Sequence, residues 1–444
     1  MDQDNLKALH QAHVDQLQRA TAAVLQEHGL DALVIHSGVA HKRSAYDDQY
    51  WPLRPTPHFH HWVPLFEPGC ALVIRPGRRP LLLRLDADQL WEKLAPPETG
   101  HFWDAFEVAL ASEAQLNDLV REATGPRAAF IGESGEAAAA FGLATAQEPP
   151  GLLPALDQLR VKKTAYEEEC LAEANRRAAA GHDELRVLFA RSDLAELELH
   201  LAYLKATRQD DAETPYKNIV ALGVHAATLH HISYQKHAVP AQSLLVDAGA
   251  SFAGYGSDVT RTWVKGGGAG ASAFGQLISL LEAMQQRLCQ AAVPGLHYEA
   301  LHDESHRQVA GVIRAVGLSK LPEDELLARG ITRAFYPHGL GHALGLQTHD
   351  VGCGLQKPRA ENPFLRNTTV IAERQSFTIE PGFYFIKGLL QPLREGPQAG
   401  AIDWALVDAL TPFGGIRIED DVVVGPSGVR NLTRLVLPRG GGAP

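Results

Sequence analysis

Three histidines fall within the stretch PHGLGHALGLQTHD (337–350): His338, His342 and His349. Imidazoles gathered this closely can ligate a metal or donate hydrogen bonds to a bound molecule. Glycines at 339, 341 and 345 weaken any ordinary helix here. A polar, glycine-rich loop without chemistry has the same appearance, so acidic residues elsewhere must decide.

The most informative of these lie in SLLVDAGASFAGYGSDVTRTWV (243–264). Apolar β-formers flank a glycine-rich centre, which predicts a hairpin. A turn centred between residues 252 and 253 sets Asp247 opposite Asp258, with Cβ atoms about 5 Å apart. Carboxylates that close repel until one protonates, and a divalent cation between them removes the conflict. Aspartates capping the turn in solvent are the competing reading. SFTIEPGFYF (376–385) places Glu380 between apolar runs, and GGIRIEDDVVV (414–424) alternates, with Arg417, Glu419 and Asp421 on one face. Acids in such surroundings are seldom buried unless paired or metal-bound. Arg417 shares the face of Glu419, where it can orient a ligand or a substrate.

The elements that must position these residues follow from length and pattern. At 444 residues the chain exceeds one hydrophobic core, and its net charge of −11 argues against nucleic acid as a partner. Four cysteines without C-x-x-C spacing argue against a thiolate metal site or a disulfide framework. An acidic, polar start and the lack of a long apolar run fit a cytoplasmic protein without a membrane span. Helical periodicity fills the first 30 residues, with Gly29 as a stop. Strands are expected at 31–38, 71–77, 80–85 and 128–133, so residues 1–155 read as an α/β domain. A Pro-Gly cluster and the capping box Thr164-x-x-Glu167 open a second domain, 156–444. That domain reads as helices to 210, strands over 215–265, helices at 272–293 and 297–316, then strand and loop, with a disordered PRGGGAP terminus.

The order Asp247 (LVDAGA), Asp258 (GYGSDVTRTW), His342 (HGLGH), Glu380 (IEPG) and Glu419 (RIED) resembles the metal-ligand set of the pita-bread metallopeptidases. LDALVIHSG, DDQYWPLRPTPHF, PYKNIVAL, PFGGIRIEDDVVV and NLTR are similar to bacterial prolidases (Xaa-Pro dipeptidases), a branch that includes organophosphorus acid anhydrolases. The resemblance covers essentially the whole chain. It implies a creatinase-like α/β N-terminal domain and an α+β pita-bread C-terminal domain. It also implies two divalent metals per subunit, Mn²⁺ first and Co²⁺ or Zn²⁺ as alternatives, that activate a hydroxide to cleave dipeptides with C-terminal proline. Asp247 would hold one metal and His342 the other. Asp258 and Glu419 would bridge, and Glu380 would ligate while moving protons. His230, His338, His349 and Arg417 match positions around the substrate. Tyr216, His231, Trp91, Asp47 with Asp48, and Tyr298 are candidates for the substrate rim. Four carboxylates and one imidazole independently suit an oxygen-loving octahedral ion.

Arg417, two residues before Glu419, is the expected clamp for a free proline carboxylate, with His338 or Arg394 next. The glycines of 337–350 are expected to bring backbone close to metal and substrate. His231 stands where the resemblance leads one to expect tyrosine, which bears on pocket shape. HFHHW (58–62) is read as surface or dimer packing. By analogy the chain is a homodimer. Cleavage of longer peptides, as by aminopeptidase P, is the alternative activity. Organophosphate triesters are a possible further substrate. An inactive binding module on the same fold would have lost ligands, and all five are present.

Overall fold

The structure, a computed structural model, describes residues 2–86 and 96–444. It divides into a unit ending at Glu169 and a unit beginning at Cys170, each described here by itself.

The first unit is built on five strands: β1 (Ala32–His36), β2 (Ala71–Ile74), β3 (Leu81–Leu85), β4 (Glu107–Ala111) and β5 (Ala128–Ile131), in the order β4-β3-β2-β1-β5. β1 pairs antiparallel with β2 and parallel with β5. Continuous apolar runs serve here because both faces are covered. Leu33, Ile35, Leu72 and Ile74 enter one core, and Val34, Val73, Leu83 and Phe130 the other. Only β4 lacked a signal, since its sequence EVALA lies mostly exposed at the sheet edge. The first helix, Gln3–Glu27, buries Leu6, Val14, Leu17, Val24 and Leu25. Gly29 then turns the chain at φ +66°, a conformation glycine adopts without steric cost.

Histidines fill a polar pocket in this unit. His60 and His61 of HFHHW are buried, which corrects their reading as surface or dimer packing. His61 Nε2 lies 3.5 Å from Glu167 Oε1, and His13 bonds the Thr164 hydroxyl at 2.8 Å. The capping box forms as well: Thr164 N–H donates to Glu167 Oε2 at 2.7 Å.

The second unit holds β6 (Ile219–Leu222), β7 (Ser243–Asp247), β8 (Ser251–Phe252), β9 (Tyr255–Gly256) and β10 (Thr260–Val264). The later strands are β11 (Ser376–Ile379), β12 (Gly382–Tyr384), β13 (Gly415–Arg417), β14 (Asp420–Gly425), β15 (Gly428–Asn431) and β16 (Gly441–Gly442). They form sheets β16-β10-β7-β6 and β11-β14-β15 and the pairs β12-β13 and β8-β9. Helices Ala269–Ala291 and Tyr298–Ala315 pack their apolar stripes (Phe274, Leu277, Ile278, Leu281; Leu301, Val309, Ile313) into one core with Phe377, Ile379, Ile416 and Val422.

Two expectations are corrected here. The stretch after 331 contains helices Ile331–Phe335, Lys387–Glu395 and Trp404–Leu410, too short to show a helical period. The glycine-rich terminus is ordered rather than loose: β16 pairs with Thr262 and Trp263 of β10. A Cβ at Gly441 would collide with the Thr262 carbonyl, so glycine is what permits that pairing.

Candidate metal and substrate site

The hairpin turns at Ala253-Gly254, both with positive φ (+51° and +88°), a two-residue turn whose backbone twist matches the strands. This register sets Thr260, not Asp258, opposite Asp247. The partner is displaced by two residues from the expected one, so the correction preserves the side-chain face. Asp258 becomes the diagonal neighbour of Asp247. The Tyr216 hydroxyl oxygen joins them, 2.7 Å from Asp247 Oδ1 and 2.5 Å from Asp258 Oδ1.

Glu419 arrives from the other sheet. It sits in the break between β13 and β14 and bridges backbone to backbone with Thr260. The Thr260 hydroxyl donates to Glu419 Oε2 at 2.6 Å. The uninterrupted alternation expected for 414–424 is therefore broken at 418–419, although Arg417 and Glu419 still reach one site. The histidine segment lies along β11: Thr378 N–H donates to the His342 carbonyl, and Glu380 N–H to that of Leu340. Its glycines serve this contact. A Cβ on Gly341 would collide with the Thr378 carbonyl and the Tyr298 hydroxyl, and one on Gly339 would lie 2.9 Å from the Phe364 carbonyl. These glycines thus permit close approach to neighbouring protein backbone.

His342 bonds the Ala343 carbonyl through Nδ1 (3.0 Å), which turns Nε2 toward Asp258 Oδ2 (3.4 Å) and Glu380 Oε1 (3.6 Å). Such a bond at the second ring nitrogen commonly orients a metal-ligating imidazole. Ligand atoms of Asp258, His342 and Glu419 all lie within 4.8 Å of one another. Burial and repulsion from the other acids hold the Asp258 carboxyl above its ordinary range and push Glu380 up to about 7 and Glu419 well up. Burial opposes the imidazolium of His342, but Asp258 and Glu380 overcome it and raise the ring to about 9. A buried acid cluster this costly, with one imidazolium offsetting it, has the donor set and the excess negative charge that divalent cations neutralise.

The remaining site residues divide clearly. Arg417 is 4% exposed, and each of its three guanidinium nitrogens makes one hydrogen bond. Nη2 reaches Asp247 Oδ2 (2.5 Å), Nη1 the Tyr384 hydroxyl (2.8 Å) and Nε the Thr260 hydroxyl (3.2 Å). Its assignment as the carboxylate clamp is corrected accordingly: here it braces Asp247. Arg394, the fallback, pairs with Asp408 on an exposed helix. His338 bonds Tyr384 at 2.8 Å and lies 3.8 Å from Glu380, while burial and Arg417 push its pKa to about 3. His349 packs edge-on against His342, centroids 4.3 Å apart. Burial lowers its pKa to about 3, with smaller contributions from the charges of His342, Arg366 and His230. The charges of His230 and Arg366 are felt at this ring, and both side chains are exposed.

Two rim candidates of the second unit turn to other partners. Tyr298 is buried beneath Gly341 with its hydroxyl on the Thr378 carbonyl (2.8 Å). His231 turns onto Glu196 at 2.8 Å. Asp47 accepts from Gln49 N–H in an exposed loop of the first unit, and Trp91 lies outside the described residues. Reading the sequence missed Thr260 and Tyr384, and placed Asp421 on the face of Glu419 without a role. Asp421 Oδ2 accepts from Asp258 N–H (3.0 Å) and from Asn175 (2.8 Å), fixing the backbone under Asp258. The correct hairpin register would have exposed Thr260; Tyr384 carried no local signal.

Fold and donor set together define a metal-dependent hydrolase of pita-bread architecture. Metallopeptidase family M24 matches residues 169–426, and the N-terminal domain of Xaa-Pro dipeptidases matches residues 8–158. A Pseudoalteromonas atlantica protein named Xaa-Pro dipeptidase is 39% identical over 440 residues, 97% of this chain and 98% of its own. One of that name from Aeromonas hydrophila is 41% identical over 434 residues, 95% and 97% of the two chains. The chain belongs to metallopeptidase family M24, in its Xaa-Pro dipeptidase branch. Among solved structures, aminopeptidase P of Pseudomonas aeruginosa aligns with a TM-score of 0.72 at 22% identity, covering 95% of each chain. A zinc-substituted E. coli aminopeptidase P with product gives 0.72 at 22%, covering 98% and 96%. These two likenesses concern the fold.

Proposed function

We propose that this protein hydrolyses dipeptides with a C-terminal proline, using two divalent metals held by Asp247, Asp258, His342, Glu380 and Glu419. The observation that carries the reading is the convergence of four acids and one imidazole from separate strands and loops on a shared, mostly buried cluster. The oxygen-rich set favours Mn²⁺ over thiolate-loving metals. Such a pair lowers the pKa of water and polarises a carbonyl.

The chain's own residues supply the rest. The leaving nitrogen of an amide must gain a proton as the C–N bond breaks, and a general acid in the site can deliver it. Glu380 is the acid placed for it, with His338 Nδ1 at 3.8 Å. His349, neutral at pH 7, offers an N–H donor to substrate or intermediate, while His338 commits its Nδ1–H to the Gly339 carbonyl and its Nε2 to the Tyr384 hydroxyl, which fixes the ring beside Glu380. Tyr216 stays protonated as a donor at the rim, since burial and the carboxylates push its phenol well up. Among the described residues Arg366 carries no ion pair, and its charge is felt at His349, which supports it as the clamp for the substrate carboxylate. Four buried cysteine thiols suit a reducing cytoplasmic compartment. Exposed Tyr46, Tyr50 and Trp51 offer a surface for a homodimer. Among the described residues no helix is long and apolar enough to cross a membrane.

The test is hydrolysis of Ala-Pro by chelated protein before and after Mn²⁺ is restored. Activity that returns with Mn²⁺, and less with Mg²⁺, supports the reading. Full turnover at verified zero metal content rejects it.

A further inference from the structure

Outside the acid cluster a second group of metal-binding chemistry remains. Glu196 opens the helix Glu196–Thr207 and is 0% exposed. His225 and His231 belong to the loop that follows β6. Each carboxylate oxygen accepts one backbone N–H and faces one imidazole nitrogen. Oε1 accepts from Leu222 N–H (2.9 Å) and lies 2.7 Å from His225 Nδ1. Oε2 accepts from Gln235 N–H (2.8 Å) and lies 2.8 Å from His231 Nε2. The two rings stack with centroids 4.6 Å apart at 26°, so both present a nitrogen edge to the same carboxylate. One ligand atom from each of the three residues falls within a 4.8 Å set.

We infer that Glu196, His225 and His231 form a separate mononuclear site for a divalent ion of the zinc class. Adjacent ligands at about 2.0–2.1 Å from a metal stand roughly 2.8–3.4 Å apart, and the observed nitrogen–oxygen spacings already approach that range. Two imidazoles and one carboxylate suit Zn²⁺, Co²⁺ or Cu²⁺, whereas the acid cluster, with one imidazole among five ligands, suits harder ions. Binding needs no oxidant. Each neutral ring moves its proton from the nitrogen facing Glu196 to its other nitrogen, and the freed lone pairs go to the metal. The carboxylate is already ionised: burial opposes this, but the backbone and imidazole donors lower its pKa. His225, with 38% of its side chain exposed, leaves one side open to water ligands and to entry. Occupancy would also tether the loop segment that carries His230.

The test counts ions in full-length protein stripped of metal and dialysed against Zn²⁺. Wild type should hold one ion per chain more than His231→Gln or His225→Asn. His231→Gln keeps a donor toward Glu196, so the fold survives the change. Asp258→Asn should lose metal from the acid cluster and keep this ion. Cu²⁺ bound to that variant should show electron-paramagnetic hyperfine coupling to two nitrogens, reduced on adding His231→Gln. Equal zinc counts in wild type and both histidine variants would overturn the inference and leave the trio a hydrogen-bonded anchor. If Asp258→Asn left the count unchanged, the dinuclear reading would fail instead.

Discussion

Replacing Arg366 by alanine should remove the preference for a free proline carboxylate while leaving the metal centre intact. In the wild type, Ala-Pro should be cut far better than Ala-Pro-Ala, because the tripeptide offers a neutral amide where the dipeptide offers a charge. A hydrogen bond to a charged group contributes about 1.5–3 kcal/mol. Arg366 is exposed, so solvent screens the interaction and the lower half of that range applies. This corresponds to a loss of roughly 10- to 40-fold in kcat/KM for Ala-Pro. Ala-Pro-Ala should change less than about 3-fold, since its contact with the guanidinium is neutral and weaker. Arg417→Ala makes the contrast. Its three contacts brace Asp247, Tyr384 and Thr260, so its loss should depress both peptides together and lower metal affinity. The assay is kcat/KM for both peptides on the three proteins. Selectivity unchanged in Arg366→Ala but abolished in Arg417→Ala would refute the assignment. Equal values in the wild type would favour an aminopeptidase P-like enzyme.

Asp258→Asn should cost more than the roughly 100-fold that loss of an outer partner of a metal ligand costs, and reduce bound metal. His349→Ala should cost about 1–3 kcal/mol without metal loss; the reverse order, by kinetics and elemental analysis, would invalidate the hairpin assignment. Burial holds His10 at about 3 and His13 and His101 at about 4. From about pH 6.5 downward the unfolded chain therefore binds protons that the folded chain does not. Stability should be full at neutral pH and fall as pH drops toward 4, by on the order of 1.4 kcal/mol per pH unit for each such histidine. A urea midpoint constant between pH 7 and pH 5 would contradict this. Gly341→Ala should destabilise by about 1–3 kcal/mol through overpacking against Thr378; an unchanged melting temperature would show that the segment can move aside.

The acids that converge on the site stood out in the sequence because acids flanked by apolar β-formers have few stable alternatives to a partner or a metal. Four of the five first-unit strands were legible for a related reason, being continuous apolar runs between turns, whereas the exposed edge strand β4 was not. Register was not legible. Whether Ala253-Gly254 or the preceding pair made the turn depended on which residues tolerate positive φ, and Ala253 does so at +51° against its ordinary preference. Arg417 and Tyr298 were placed by type and neighbourhood, yet their roles are set by distant partners. Asp247 lies 170 residues before Arg417, and Thr378 lies 80 residues after Tyr298. The short helices after 331 carry less than three turns each, too few to show a period.

Whether the five residues hold two metals is decided by anomalous scattering at the manganese edge from crystals grown with Mn²⁺ and an Xaa-Pro analogue. Two peaks about 3.5–4 Å apart are expected, one ligated by Asp247 and the other by His342 and Glu380, with Asp258 and Glu419 touching both. A single peak, or peaks away from these side chains, would contradict this arrangement.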